Sequence, residues 1–160
     1  MKVIDLFAGL GGFSAGAIAA GAEVILGIDE DPVPLKLWSA NVPGGRAVLS
    51  PLGPSGDAVS LPPPSPHLHV HASTPCTDLS PARGRSATPA DLASGVCMLR
   101  WALDLVLERG DYSWSLENVS TPKTREAQPI GHAQRARRRL AGVVRRARRR
   151  GGKCTNSPTN

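Results

Sequence analysis

No stretch of about 18 consecutive apolar residues occurs in this 160-residue chain, so no segment reads as a membrane-spanning helix. Met1-Lys2-Val3-Ile4-Asp5 lacks the long apolar core of a secretory leader. The expected location is therefore intracellular: the nucleus in a eukaryote, the cytoplasm otherwise. Only three cysteines are present, Cys76, Cys97 and Cys154, an odd number without metal-ligand spacing. They are expected as thiols, at least one of them functional. Aromatic residues make up 4% of the chain, and Trp38, Trp101 and Trp114 are expected in the core rather than as base-stacking platforms. Acids are nearly missing from the last quarter, where residues 123–160 hold 12 Lys/Arg against Glu126 alone, a balance of +11. Residues 1–122 hold 7 Lys/Arg against 12 Asp/Glu, a balance of −5. The net charge of +6 thus belongs to a basic tail on an acidic body. No internal repeat is present.

The chain is of single-domain length and carries 41% hydrophobic residues, enough for a buried core, while 15 prolines and 17 glycines imply long irregular stretches. Lys2 to Phe7 reads as a short apolar strand, and Ala8-Gly9-Leu10-Gly11-Gly12-Phe13-Ser14 as a glycine turn opening a helix that stops near Gly21. Val24 to Ile28 is a second apolar strand, ending at Asp29. A short helix over Pro34–Asn41 follows, then a Pro/Gly/Ser-rich stretch over 43–66 with a short strand at Arg46–Leu49. His67 to Ala72 alternates as a strand and runs into Ser73-Thr74-Pro75-Cys76. Thr88-Pro89-Ala90-Asp91 has the chemistry of a helix start, and Leu92, Val96, Leu99, Leu103 and Val106 recur at helical spacing up to Gly110. Tyr112 to Leu116 is the next strand and leads into Glu117-Asn118-Val119. Strands alternating with helices predict an α/β fold with a parallel sheet covered by helices.

Three places carry chemistry. A glycine turn between strand and helix exposes backbone N–H groups to a ligand, and Asp29, 20 residues after Gly9, is placed to accept from a ribose. The alternatives at this turn are a nucleoside-type cofactor and a plain tight turn. Cys76, just past a strand end, is either a nucleophile or a small buried hydrophobe; Thr74, Thr77, Asp78 and Arg83 give it a polar setting. Glu117, at another strand end, is either a ligand-facing acid or a surface carboxylate. His67, His69 and His71 share one strand face, but without a clustered acid or cysteine at ligand spacing no metal site is expected.

Asp5-Leu6-Phe7-Ala8-Gly9-Leu10-Gly11-Gly12-Phe13-Ser14-Ala15-Gly16, Ser73-Thr74-Pro75-Cys76 and Glu117-Asn118-Val119, in this order, resemble three motifs of the cytosine carbon-5 DNA methyltransferases. The resemblance covers about residues 1–125. It implies a Rossmann-like methyltransferase fold, incomplete here, with S-adenosylmethionine as cofactor and DNA, less readily RNA, as substrate. It further implies that Phe7, Gly9 and Gly11 line the cofactor, with Asp29 on the ribose, Glu30 beside the adenine and Asp57 on the adenine amino group. Pro75 would shape the loop from which Cys76 attacks carbon 6 of cytosine. Glu117 would hold ring nitrogen 3 and the exocyclic amine, and Asn118 would position the Pro-Cys loop. Arg83 and Arg85 would lie near phosphates.

Beyond residue 125 the sequence departs from the family. Gln134-Arg135-Ala136-Arg137-Arg138 places Ala136 where the family's first motif arginine belongs, so no catalytic arginine is assigned. The expected division is a partial catalytic domain over 1–125 and an Arg-rich, poorly ordered tail over 126–160. Three readings of that tail stand: a basic arm on phosphates, a short helix against the body, or a stretch left by a lost reading frame. Two functions follow. One is a cytosine methyltransferase, truncated or completed by a second chain that supplies target recognition. The other is an inactive fragment that binds only cofactor or nucleic acid.

Overall fold

A computed structural model describes residues 1–55, 60–80, 88–110 and 113–119. Five parallel strands form one sheet in the order β3-β2-β1-β4-β5, with β1 Lys2–Leu6, β2 Glu23–Asp29, β3 Arg46–Leu49, β4 Leu68–Ser73 and β5 Ser113–Glu117. Helices α1 (Gly12–Ala19) and α2 (Pro32–Asn41) follow β1 and β2, and α3 (Pro89–Arg109) links β4 to β5. This is the α/β arrangement predicted from the alternating apolar runs. The Asp57 position and the Arg83 and Arg85 positions lie outside the described residues, as does everything from residue 120 onward.

The pleat of β1 sorts the core into two layers. Ile4 and Leu6 join Leu26, Ile28, Val70, Ala72, Ala102, Leu103 and Val106 on the α3 side. Val3, on the other face, joins Val24, Leu35, Trp38 and Val42. Of the helical stripe predicted for α3, Leu99, Leu103 and Val106 are buried, while Leu92 and Val96 are half-buried. The start of α3 is fixed as its sequence suggested. The Thr88 hydroxyl accepts from Asp91 N–H, and the Asp91 carboxylate accepts from Thr88 N–H, a reciprocal capping box. Gly110 ends the helix in the left-handed region, φ 71°.

Trp38, fully buried, organises the α2 side. A Cβ on Gly27 would overlap its benzo ring, and one on Gly11 would stand 2.9 Å from its Cδ1. The indole fills space that only glycines leave open, so the turn after β1 and the middle of β2 rest on one side chain. Trp101 and Trp114 are half-buried and pack against the α3-side core.

Candidate functional site at the carboxyl edge of the sheet

Parallel pairing sets Leu6 beside both Ile28 and Ala72, and Ser73 beside Glu117. The chain therefore leaves β1, β2, β4 and β5 along one edge, strands about 4.8 Å apart. The connections reverse direction between β1 and β4, the usual place for a ligand crevice in an open parallel sheet. Phe7, Gly9 and Gly11 follow β1, Asp29 ends β2, Pro75 and Cys76 follow β4, and Glu117 ends β5. Expected cofactor residues occupy the β1–β2 half and expected reaction residues the β4–β5 half. Glu30, next to Asp29, is exposed.

Phe7 is the one non-glycine residue with positive φ among those described, at 58°. For a bulky side chain that conformation costs of order 1–3 kcal/mol and is held only by its surroundings. Here the ring meets Trp101 edge-on, centroids 6.1 Å apart. Gly9 and Gly11 continue the turn at φ 50° and 91°. No atom lies within 4 Å of where a Cβ on Gly9 or Gly12 would stand, so both face open space. Asp29 closes the turn: its Oδ2 accepts from Gly9 N–H at 2.8 Å and its Oδ1 from Asp31 N–H at 2.9 Å. Each carboxylate oxygen keeps a further acceptor direction for a ligand.

Beneath this turn lies a buried relay that the sequence reading did not single out. The Trp38 indole N–H donates to Ser14 Oγ at 2.9 Å, and Ser14 Oγ donates to Asp5 Oδ2 at 2.5 Å. Burial pushes the Asp5 carboxyl up to about 6 from 3.8, against the hydrogen bonding from Ser14. An acid inside the apolar run Val3-Ile4-Asp5-Leu6 is the signal that could have revealed it.

On the β4–β5 half, the Asn118 side-chain amide donates to both the carbonyl and the hydroxyl of Thr74, at 2.9 and 2.8 Å. It thereby ties the end of β5 to the residue before Pro75. Cys76 is a half-buried free thiol. Its carbonyl accepts from the N–H groups of Leu79 and Ser80, at 2.9 and 2.7 Å, closing one turn over 76–80. Pro75 and Glu117 are exposed. Gly95, buried within α3, faces the Cys76 turn. A glycine inside a helix costs roughly 0.5–1 kcal/mol relative to alanine.

The histidines hold β4 to β5. His69 lies 2.8 Å from the Ser113 hydroxyl and 2.9 Å from that of Ser115, and His71 lies 2.7 Å from Ser115 and 2.8 Å from Ser73. Phe13 stacks on His71 with centroids 3.5 Å apart. Burial pushes His71 down to about 4, with His69 adding in the same direction, and burial lowers His69 too. Among the described residues no cluster of three or more His, Cys, Asp or Glu could hold a metal ion. No described helix is long and apolar enough to cross a membrane.

Known structures share this fold. A DNA modification methyltransferase encoded within an E. coli prophage matches over 89% of the chain with a TM-score of 0.55 and 22% identity. A triple mutant of Spodoptera frugiperda DNMT2 matches over 79% with a TM-score of 0.51 and 17% identity. The chain spans 38% of the length of each. No curated protein sequence matches it. The family model of the C-5 cytosine-specific DNA methylases matches residues 1–102, which take in the glycine turn, Asp29 and the Pro75-Cys76 turn. Since that match extends over more than half of the sequence, the chain belongs to the C-5 cytosine-specific DNA methylase family.

Proposed function

We propose that the protein methylates carbon 5 of cytosine in DNA through a covalent adduct on Cys76. The observation that carries this reading is the pairing of Ser73 with Glu117, which brings the root of the Cys76 turn and the Glu117 carboxylate to neighbouring strand ends. Carbon 5 of cytosine is too weak a nucleophile to accept a methyl group unaided. Addition of the Cys76 thiolate to carbon 6 forms an S–C bond and moves the ring's electron pair toward carbon 5, splitting one hard step into easier ones. The Glu117 carboxyl group shares a proton with ring nitrogen 3 and offsets the charge that develops there. Pro75 shapes the turn and Asn118 holds it through Thr74. After methyl transfer, the carbon 5 proton passes to water, the ring expels the Cys76 thiolate and the proton at nitrogen 3 returns to Glu117, which restores the ring. In duplex DNA the base must first leave the stack, at a few kcal/mol.

S-adenosylmethionine, when bound, supplies an electrophilic methyl group. The residues present suit it: Gly9 opens onto free space, Phe7 leads the same turn, and the Asp29 carboxylate keeps acceptor capacity for a ribose. Glu30 and Asp57 beside the adenine, and Arg83 and Arg85 on phosphates, complete the proposed set. An intracellular location fits this substrate.

The test is incubation of the full purified chain with labelled S-adenosylmethionine and DNA carrying 5-fluorocytosine. A covalent adduct is expected, and Cys76→Ser abolishes it. A second reading is a chain that binds cofactor or nucleic acid without carrying the reaction through by itself. Cofactor binding without any adduct, on DNA or RNA, supports that second reading and removes the first.

A further inference from the structure

We propose that Gly95 is a positioning residue for Cys76, acting through Leu79. The inference rests on the reading of Cys76 as the nucleophile. A Cβ built on Gly95 would stand 2.7 Å from Leu79 Cγ, 2.9 Å from Leu79 Cδ2 and 3.2 Å from Asp78 Cβ. Leu79, 4% exposed, therefore seats in a notch cut into α3 by the missing side chain. Glycine is disfavoured inside a helix, and Gly95 sits well inside the 21 residues of α3. What its absence of a side chain permits is this close approach.

The contact bears on the thiol because the Cys76 carbonyl is hydrogen-bonded to the N–H groups of Leu79 and Ser80. Residues 76–80 thus move as one turn, with the nucleophile at one end and the anchor at the other. Asn118 fixes the chain two residues before Cys76, through Thr74, and the Gly95 notch fixes it three residues after. Cys76 is held between a polar brace from β5 and an apolar brace from α3. The glycine turn and Asp29 of the β1–β2 half hang on other contacts, Gly9 N–H on the Asp29 carboxylate and Trp38 beneath Gly11. Moving the notch should therefore displace the thiol while leaving cofactor affinity alone.

The test uses the full chain and three variants: Gly95→Ala, Leu79→Ala and the double variant. Three quantities are read: the adduct rate on 5-fluorocytosine DNA, iodoacetamide alkylation of Cys76 followed by peptide mass, and S-adenosylmethionine affinity. A displacement near 1 Å at a reacting group costs on the order of 100-fold, so Gly95→Ala should slow adduct formation by at least ~10-fold. Cofactor affinity should stay within about twofold, since its residues keep their places. In the parent, Leu79→Ala empties the notch, slows adduct formation and speeds alkylation. In the Gly95→Ala background the same substitution makes room for the new methyl and raises the adduct rate. That reversal of sign requires the contact.

An unchanged adduct rate in Gly95→Ala, or a Leu79→Ala effect of the same sign in both backgrounds, overturns the proposal. Where Gly95→Ala does not fold, Leu79→Ala decides alone, and parent-like adduct and alkylation rates overturn it. If the parent forms no adduct, the proposed reaction falls. Alkylation of Cys76 then still reports whether the notch holds the turn, and a rate equal in all four proteins refutes it.

Discussion

Replacing Asp5 by Asn should change how stability depends on pH, not merely its level. The Asp5 side chain is 1% exposed and its carboxyl is raised from 3.8 to about 6, chiefly by burial. Between those two values the folded protein holds a proton that the unfolded chain has released. Stability from this group is therefore greatest below pH 4 and falls as pH rises toward 6. A shift of roughly 2 units at 1.36 kcal/mol each amounts to about 3 kcal/mol. His71 works in the opposite sense. With its folded value near 4 against 6.5 unfolded, stability rises with pH across that interval. In the parent Asp5 opposes the lowered histidines; in Asp5→Asn the rise due to His71 and His69 is left uncovered. Urea unfolding followed by tryptophan fluorescence at pH 4 and pH 7 measures this. Relative to the parent, Asp5→Asn should gain about 3 kcal/mol on going from pH 4 to pH 7. At a slope of roughly 1.5 kcal/mol per molar urea, that moves the midpoint difference by about 2 M. A difference between parent and variant that is the same at both pH values would refute the assignment of a perturbed, buried Asp5 carboxyl.

Two further substitutions probe the supports of the site. Gly27→Ala drives a methyl into the Trp38 ring and should destabilise by about 1–3 kcal/mol, lowering the melting temperature by several degrees in a circular-dichroism scan; an unchanged melt means that Trp38 is not wedged there. Asn118→Ala removes two hydrogen bonds from buried Thr74 and should cost about 1–3 kcal/mol. Its adduct rate on 5-fluorocytosine DNA should fall while S-adenosylmethionine affinity holds, and an equal loss of both would show that Asn118 supports the whole sheet instead of the Pro75-Cys76 turn.

Much of the fold is legible in local sequence because local physics fixes it. Alternation in His67–Ala72 gives β4, Thr88 and Asp91 cap α3, and glycines with positive φ mark the turn after β1. The placement of Trp38 in the core follows from its apolar neighbours, and it is fully buried. Less legible are pairs distant in sequence. Gly95 is one glycine in a helical run until Leu79 is seen against it. The three histidines suggest a metal to the eye, and only the parallel register of β4 with β5 shows His69 and His71 facing serines. Asp5 carries no visible partner in sequence because Ser14 reaches it from α1 and is itself held by Trp38 from α2.

The sequence by itself determined the order of strands and helices, the glycine turn, and the family motifs around Gly9, Cys76 and Glu117. Those depend on propensity, periodicity and short-range spacing, which neighbouring residues decide. Tertiary structure alone decided that β4 and β5 lie side by side, that Ser73 pairs with Glu117, and that the Cys76 turn is gripped between Asn118 and the Gly95 notch. Register and close packing are properties of surfaces meeting across tens of residues, where one missing Cβ changes what can approach.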